Sequence, residues 1–248
     1  MFKKLPGWFL PLAILLVMAG CGRKPAPSDA PEKPGVTAPA PATAVSPAPA
    51  PGSSAPAVPV AVFSADKLTL LKYNGPGEEY VIPDGTTTVG DKAFAGCDGI
   101  KRVKIPASVT VIGREAFAGC ENLTEAALPS GLTAIGDRAF ANCQNLTSAN
   151  LPESVKTVGG EAFFWCANLE TVTIPAGLGS IGESAFAKCN LRSVTVPSAA
   201  TVIGDKAFAG CVNLSEANLQ PGTVIGTGAF NECPCEALVK ERFASYKR

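Results

Sequence analysis

Val109-Thr-Val-Ile-Gly-Arg-Glu-Ala-Phe-Ala-Gly-Cys-Glu-Asn-Leu123 carries a block, Ile-Gly-x-x-Ala-Phe-x-x-Cys, that recurs with small variations through the C-terminal two-thirds of the chain. Its phenylalanines are Phe94, Phe117, Phe140, Phe163, Phe186, Phe208 and Phe230, spaced by 23, 23, 23, 23, 22 and 22 residues. A period that regular predicts a stacked array, in which each unit contacts only its neighbours. A chain of 248 residues built this way needs no single central core.

Each block is preceded by a second pattern. In Leu169-Glu-Thr-Val-Thr-Ile-Pro175, Val172 and Ile174 alternate with Thr171 and Thr173, the period of a short half-buried strand. Pro175 closes that strand, because proline cannot donate to a ladder. An extended piece such as Ser130-Gly-Leu-Thr-Ala-Ile-Gly136 follows, and then Asp137-Arg-Ala-Phe-Ala-Asn-Cys143. Within the block, Ile181, Ala185, Phe186 and Cys189 fall at i, i+4, i+5 and i+8, which predicts the apolar face of about two helical turns. Asp91, Asp137 and Asp205 follow the glycine at its head, where a carboxylate suits exposed N–H groups. The expected unit is therefore strand, bend, second extended piece and short helix. No such unit covers its own apolar face, but stacked copies cover one another's.

The combined pattern Leu-x-x-Val-x-Ile-Pro followed by Ile-Gly-x-x-Ala-Phe-x-x-Cys-x-x-Leu resembles the BspA-type leucine-rich repeat of bacterial and some protist surface proteins. Seven copies of the second half and six of the first match, from roughly Val81 to Cys233. The resemblance implies an α/β solenoid: a right-handed leucine-rich-repeat array of about seven ~23-residue repeats, with short parallel strands on one concave face. It also implies adhesion and protein binding. The departures are Ala126, Ala149 and Ala217 in place of a larger strand residue, and Leu219-Gln-Pro221 in the seventh repeat. These thin the core locally.

The N-terminal end carries an address. Lys3 and Lys4 precede a mostly apolar run from Trp8 to Met18, shorter than the roughly 20 residues of a membrane span. The run ends in Val17-Met18-Ala19-Gly20-Cys21, which resembles the bacterial lipobox, with Met18 where leucine is usual. Residues 1–20 are thus expected to be a lipoprotein signal peptide and Cys21 the lipidated residue. Two or more acyl chains, at about 0.8 kcal/mol per buried CH₂, hold a protein firmly on a membrane. From Gly22 to about Ala61 the chain is rich in Pro and Ala, and too poor in large apolar residues to offset the cost of ordering. Residues 21–61 therefore read as a disordered linker, extended at about 3.1 Å per residue.

Residues 62–90 are expected to form an N-terminal cap and first partial repeat, with two short strands around an Asn74-Gly75 turn. The solenoid proper spans 91–233. Residues 234–248 form a C-terminal cap in which Leu238, Val239 and Phe243 suit a short helix over the last open repeat.

Composition narrows the chemistry. The formal net charge is +0 with no basic cluster in the repeats, which argues against a nucleic-acid surface. There are no histidines, hence no Ser-His or Cys-His nucleophile pairing. Cys97, Cys120, Cys143, Cys166, Cys189, Cys211 and Cys233 hold one repeat position, and Cys235 stands two residues beyond. An even count in an exported chain suggests disulfides. Stacked copies about 5 Å apart with parallel Cβ vectors are instead poorly disposed for bridges, which favours buried thiols. Cys233-Pro-Cys235 is read as capping, with a redox role as the sharper alternative. Glu115, Glu161 and Glu183 recur with the repeat as solvated residues.

The binding face is expected on the outward side of the strands. One column holds Arg102, Glu125, Ser148, Thr171, Ser193 and Glu216; the next holds Lys104, Ala127, Asn150, Thr173, Thr195 and Asn218. They are mostly small and polar, basic at the N-terminal end. Phe164-Trp165 interrupts a run of small pairs, and admits two readings, an exposed anchor or packing. The expected function is that of a non-enzymatic protein, lipid-anchored in the bacterial cell envelope at the outer membrane or cell surface. Its solenoid would bind a protein or extracellular-matrix ligand, with no cofactor, metal or catalytic residue. The alternatives are a spacer lipoprotein without a dedicated partner and a carboxylate-based enzyme.

Overall fold

The computed structural model describes residues 60–198 and 201–243. The expected signal peptide, Cys21 and nearly all of the linker lie outside them. Each coil of the solenoid passes through three segments. The first contributes a two-residue strand to a nine-stranded sheet that runs the length of the array, through Thr88–Val89, Val111–Ile112, Ala134–Ile135, Thr157–Val158, Ser180–Ile181, Val202–Ile203 and Val224–Ile225. These strands pair in parallel, as in Val158 opposite Ile181. The second segment contributes the strands of the Leu-x-x-Val-x-Ile pattern, and the third carries the phenylalanine.

The second set of strands is divided into three small parallel sheets. Glu79–Val81, Arg102–Lys104 and Glu125–Ala127 form one; Ser148–Asn150 with Thr171–Thr173, and Ser193–Val196 with Glu216–Leu219, form the others. The break before Ser193 follows a one-residue deletion, since Leu169 to Leu191 is 22 residues where Leu146 to Leu169 is 23. The break before Ser148 falls between Ala126 and Ala149, the small residues at the inward strand position.

The phenylalanine segment is not helical, which corrects the expectation of a short helix in each unit. It is a ribbon of turns whose N–H groups alternate between two uses. In the Gly136–Cys143 stretch, Ala139, Ala141 and Cys143 donate three residues back to Gly136, Arg138 and Phe140. Arg138, Phe140 and Asn142 donate instead to carbonyls of Gly160, Ala162 and Phe164 in the next coil, at 2.7–2.8 Å. Arg138 and Asn142 take positive φ, 55° and 61°, which no helix tolerates. The physical reason is thickness. The strand ladders step by about 4.8 Å, whereas a helix with side chains is about 10 Å across. A coil held at strand spacing on two segments has no room for a helix on the third. The solenoid and its ~23-residue repeat are as expected; the parallel strands occupy two segments of the coil rather than one face.

Inside, the seven phenylalanine rings from Phe94 to Phe230 form one stack, with neighbouring centroids 4.7–5.5 Å apart and planes within 4–14°. Each ring is buried, stabilising its coil by about 1.5–3 kcal/mol. The glycine of Ile-Gly lets backbones meet: a Cβ on Gly136 would lie 2.7 Å from the carbonyl carbon of Gly113. The aspartate after it accepts an N–H of the next coil rather than of its own turn. Asp91 takes Arg114, Asp137 takes Gly160 and Asp205 takes Thr227, at 2.7–2.8 Å.

Both ends are closed. At the N-terminal end, Ala61–Phe63 pairs antiparallel with Thr69–Tyr73, which then leads the nine-stranded sheet. The hairpin turn is Ser64 to Leu68, where Lys67 has φ 60° and Asp66 accepts the Leu68 N–H at 3.0 Å. Asn74-Gly75 is therefore not a hairpin turn. Thr69–Tyr73 and Glu79–Val81 enter different sheets because each is already a repeat strand. Tyr73 and Tyr80 lie 5.1 and 5.9 Å from Phe94 and finish the ring stack. At the other end, the helix Glu236–Arg242 covers the last coil through buried Val239 and partly buried Phe243. Leu238 points outward and is 59% exposed, a correction to its expected capping role.

Candidate functional site

The two outward columns hold their expected register. Arg102 stands opposite Glu125 and Lys104 opposite Ala127. Thr171 stands opposite Ser148 and Thr173 opposite Asn150, while Ser193 faces Glu216 and Thr195 faces Asn218. All are exposed except half-buried Ser148, and the residues between them, such as Val103, Ala149 and Val194, point inward. Coil stacking thus brings side chains 23 residues apart into adjacent positions, as where the Thr173 hydroxyl donates to Asn150 Oδ1 at 3.3 Å.

The basic N-terminal end of these columns is compensated. Glu79, one strand earlier, sits opposite Arg102 and reaches both Arg102 and Lys104 at 3.2 Å. Contacts with Lys104 first and Arg102 second hold its carboxyl below the usual carboxylate range. Glu78 pairs with Lys101 at 2.7 Å, and Glu170 with Arg192 at 3.3 Å. The face therefore begins at Glu79 and the exposed Val81, one strand before the columns read from the sequence. The signal was present: Ile82-Pro83 lies 23 residues before Ile105-Pro106, which places Glu78-Glu79 in the repeat register.

The cysteines are structural. All eight within the described residues are free thiols. Each from Cys120 to Cys233 donates its S–H at 3.1 Å to the phenylalanine carbonyl of the preceding coil: Cys120 to Phe94, Cys143 to Phe117, and so on to Cys233 on Phe208. The same carbonyl already accepts the cysteine N–H of its own coil, so the thiol fills its second lone pair. Burial pushes the Cys120 thiol up to about 12 and those of Cys143 and Cys189 well above the ordinary value. At Cys233 the thiol of Cys211 does so first, again to about 12, and Cys235 is raised by Cys233 and then by burial. A thiol held protonated is neither nucleophile nor metal ligand. Cys233-Pro-Cys235 caps the array: the Cys235 side chain is buried and its N–H donates to Leu214 O at 3.1 Å.

Glu115 and Glu161 are turn residues with φ 54° and 53°, ion-paired to Lys92 and Arg138 at 3.4 and 2.7 Å. Of the aromatic pair, Phe164 is half-buried, whereas Trp165 is 50% exposed. Among the described residues, no group of three or more His, Cys, Asp or Glu side chains is placed to hold a metal ion.

A BspA type Leucine rich repeat region matches this chain in six copies, over residues 72–178 and 133–242. No curated protein matches it. Among solved structures it is similar to the leucine-rich repeat protein of T. pallidum, with 32% identity over 75% of this chain and 94% of that one, and a TM-score of 0.69. It is also similar to a leucine-rich cell surface protein from Faecalibacterium prausnitzii, with 28% identity, 64% and 52% coverage and a TM-score of 0.55. A leucine-rich repeat protein from Bacteroides ovatus, 24% identical over 70% of this chain and 55% of that one at a TM-score of 0.51, shares the fold. With the matched repeats spanning well over half its length, the chain belongs to the BspA-type leucine-rich repeat family.

Proposed function

We propose that this chain is a cell-envelope lipoprotein, anchored through Cys21, whose solenoid binds another protein through the outward strand columns. One observation carries the binding assignment. Between Glu79 and Asn218 the inward strand residues are committed to the core, while the intervening side chains form two outward columns, exposed except at Ser148 and polar except at Val81 and Ala127. Small threonines, serines and asparagines supply hydrogen-bond donors and acceptors with little entropy to lose on binding. Arg102, Lys104, Glu125 and Glu216 supply charge at the two ends. The likeness to a bacterial cell surface protein supports the envelope location, and the Val17–Cys21 stretch supports the lipid. The role is binding without catalysis.

The test is capture of surface proteins on the immobilised full-length chain. Replacing Thr171 and Thr173 with lysine abolishes specific capture, whereas the same change at Thr110 and Thr133, beside the nine-stranded sheet, leaves it intact. Undiminished capture by the first variant removes the site. Labelled palmitate that still enters a Cys21→Ser chain removes the anchor.

A further inference from the structure

The turn ribbon presents its own columns, and one coil breaks their pattern. At the position of Trp165 the other coils carry Gly96, Gly119, Asn142, Lys188, Gly210 and Glu232. The backbone there is left-handed in every case, with φ between 55° and 73°. Glycine adopts that conformation freely and asparagine with little strain, but a bulky side chain is strained there. Lys188 and Glu232 share that backbone, and Trp165 is set apart by an aromatic side chain that leaves half its surface in water.

Its surroundings define what it would meet. The preceding column reads Ala95, Ala118, Ala141, Phe164, Ala187, Ala209 and Asn231, so Phe164 stands as a wall among alanines. On its C-terminal side lies a hollow of about 270 Å³ lined by Phe164, Ala187, Ala209, Lys188, Lys206 and Glu232, among others. Lys188 Nζ sits 5.6 Å from the Phe164 ring centre and 5.5 Å from that of Trp165. Neither Lys188 nor Lys206 is ion-paired within the described residues. The hollow on the other side of Phe164, about 240 Å³, is lined by Glu115 and by the Arg138–Glu161 pair, and so offers an anion no unpaired cation. An anion with an apolar face therefore belongs on the lysine side.

We propose that the hollow lined by Phe164, Lys188 and Lys206 is a binding site for an acidic saccharide. The apolar face of the sugar ring packs on Phe164, Ala187 and Ala209, its carboxylate takes the ammonium groups of Lys188 and Lys206, and Glu232 accepts from ring hydroxyls. A peptide strand fits less well, because the ribbon's N–H groups are already used. Those of Trp165 and Lys188 donate to Ala187 O and Ala209 O in the next coil, so recognition rests on side chains. The assignment concerns the turn ribbon and is independent of the strand columns.

The test is calorimetric titration of the full-length chain with a galacturonic acid trimer, a neutral galactose trimer and a pentaglutamate peptide. The uronate trimer binds, the neutral trimer binds at least tenfold more weakly, and raising the salt weakens only the former. F164A, whose alanine five other coils carry at this position, and K206Q each weaken uronate binding at least tenfold, K206Q with an unchanged unfolding midpoint. The Thr171/Thr173 lysine variant binds the trimer as the parent does. No uronate binding, equal affinity for the neutral trimer, or full binding by F164A overturns the proposal. Pentaglutamate binding as tightly as the uronate assigns the hollow to acidic proteins instead, and overturns it too.

Discussion

The thiol of Cys143 donates to the main-chain carbonyl of Phe117, 26 residues earlier, at 3.1 Å. The same bond repeats at five other coils, so the cysteine ladder is a ladder of inter-coil hydrogen bonds running beside the phenylalanine stack. A cysteine at this position is small enough for the coil spacing, apolar enough to be buried, and still a donor for a carbonyl that would otherwise be half-satisfied.

That bond makes the ladder measurable. Cys143→Ala removes a donor and a buried sulfur and lowers stability by about 1–3 kcal/mol, read from urea unfolding. In the native chain, a thiol reagent labels half-exposed Cys97 quickly and the buried thiols only on unfolding. The folded thiols of Cys97, Cys120, Cys143, Cys189, Cys233 and Cys235 also titrate above their unfolded values. Their contribution is therefore fully present below pH 9.0, and for Cys120 is lost as the pH rises from there toward about 12. Unfolding midpoints fall across that alkaline window, by less in the Cys143→Ala chain.

Gly136 stacks on Gly113 with no space for a methyl group. Gly136→Ala forces backbone apart at the level of the nine-stranded sheet and costs about 2–3 kcal/mol. Gly96 also lies in the repeat but faces open space with φ 70°, and Asn142 shows that asparagine fits its position. Gly96→Asn therefore costs less than about 1 kcal/mol by the same measurement.

Leu238 and Val239 are neighbours with opposite roles. Val239→Asp places a carboxylate against the last coil and destabilises the chain by about 3 kcal/mol, and the uncovered end self-associates. Leu238→Ser changes stability by less than about 0.5 kcal/mol. Unfolding midpoints and sedimentation of the two variants check the pair.

Much of this fold is a matter of period, and period is written in the chain. The phenylalanine spacing determined the stack, and the Val172–Ile174 alternation determined which strand residues face in. The register of Thr171 with Ser148 followed from counting 23 residues. The helix expected in each unit failed because one unit, taken alone, says nothing of the thickness its neighbours permit. Only the stack imposes strand spacing on the phenylalanine segment and turns it into a ribbon bonded from coil to coil.

The same holds for the sites. The sequence by itself determined the family, the outward columns and the inward cysteines, because those depend on side-chain direction within a repeat. Tertiary structure decided which side chains meet between repeats: Glu79 neutralising Arg102 and Lys104, Asp137 capping Gly160, and Lys188 resting over Trp165. Those contacts join residues about 23 positions apart, and their energies depend on exposure and on what else stands alongside. Neither quantity exists until the coils are stacked.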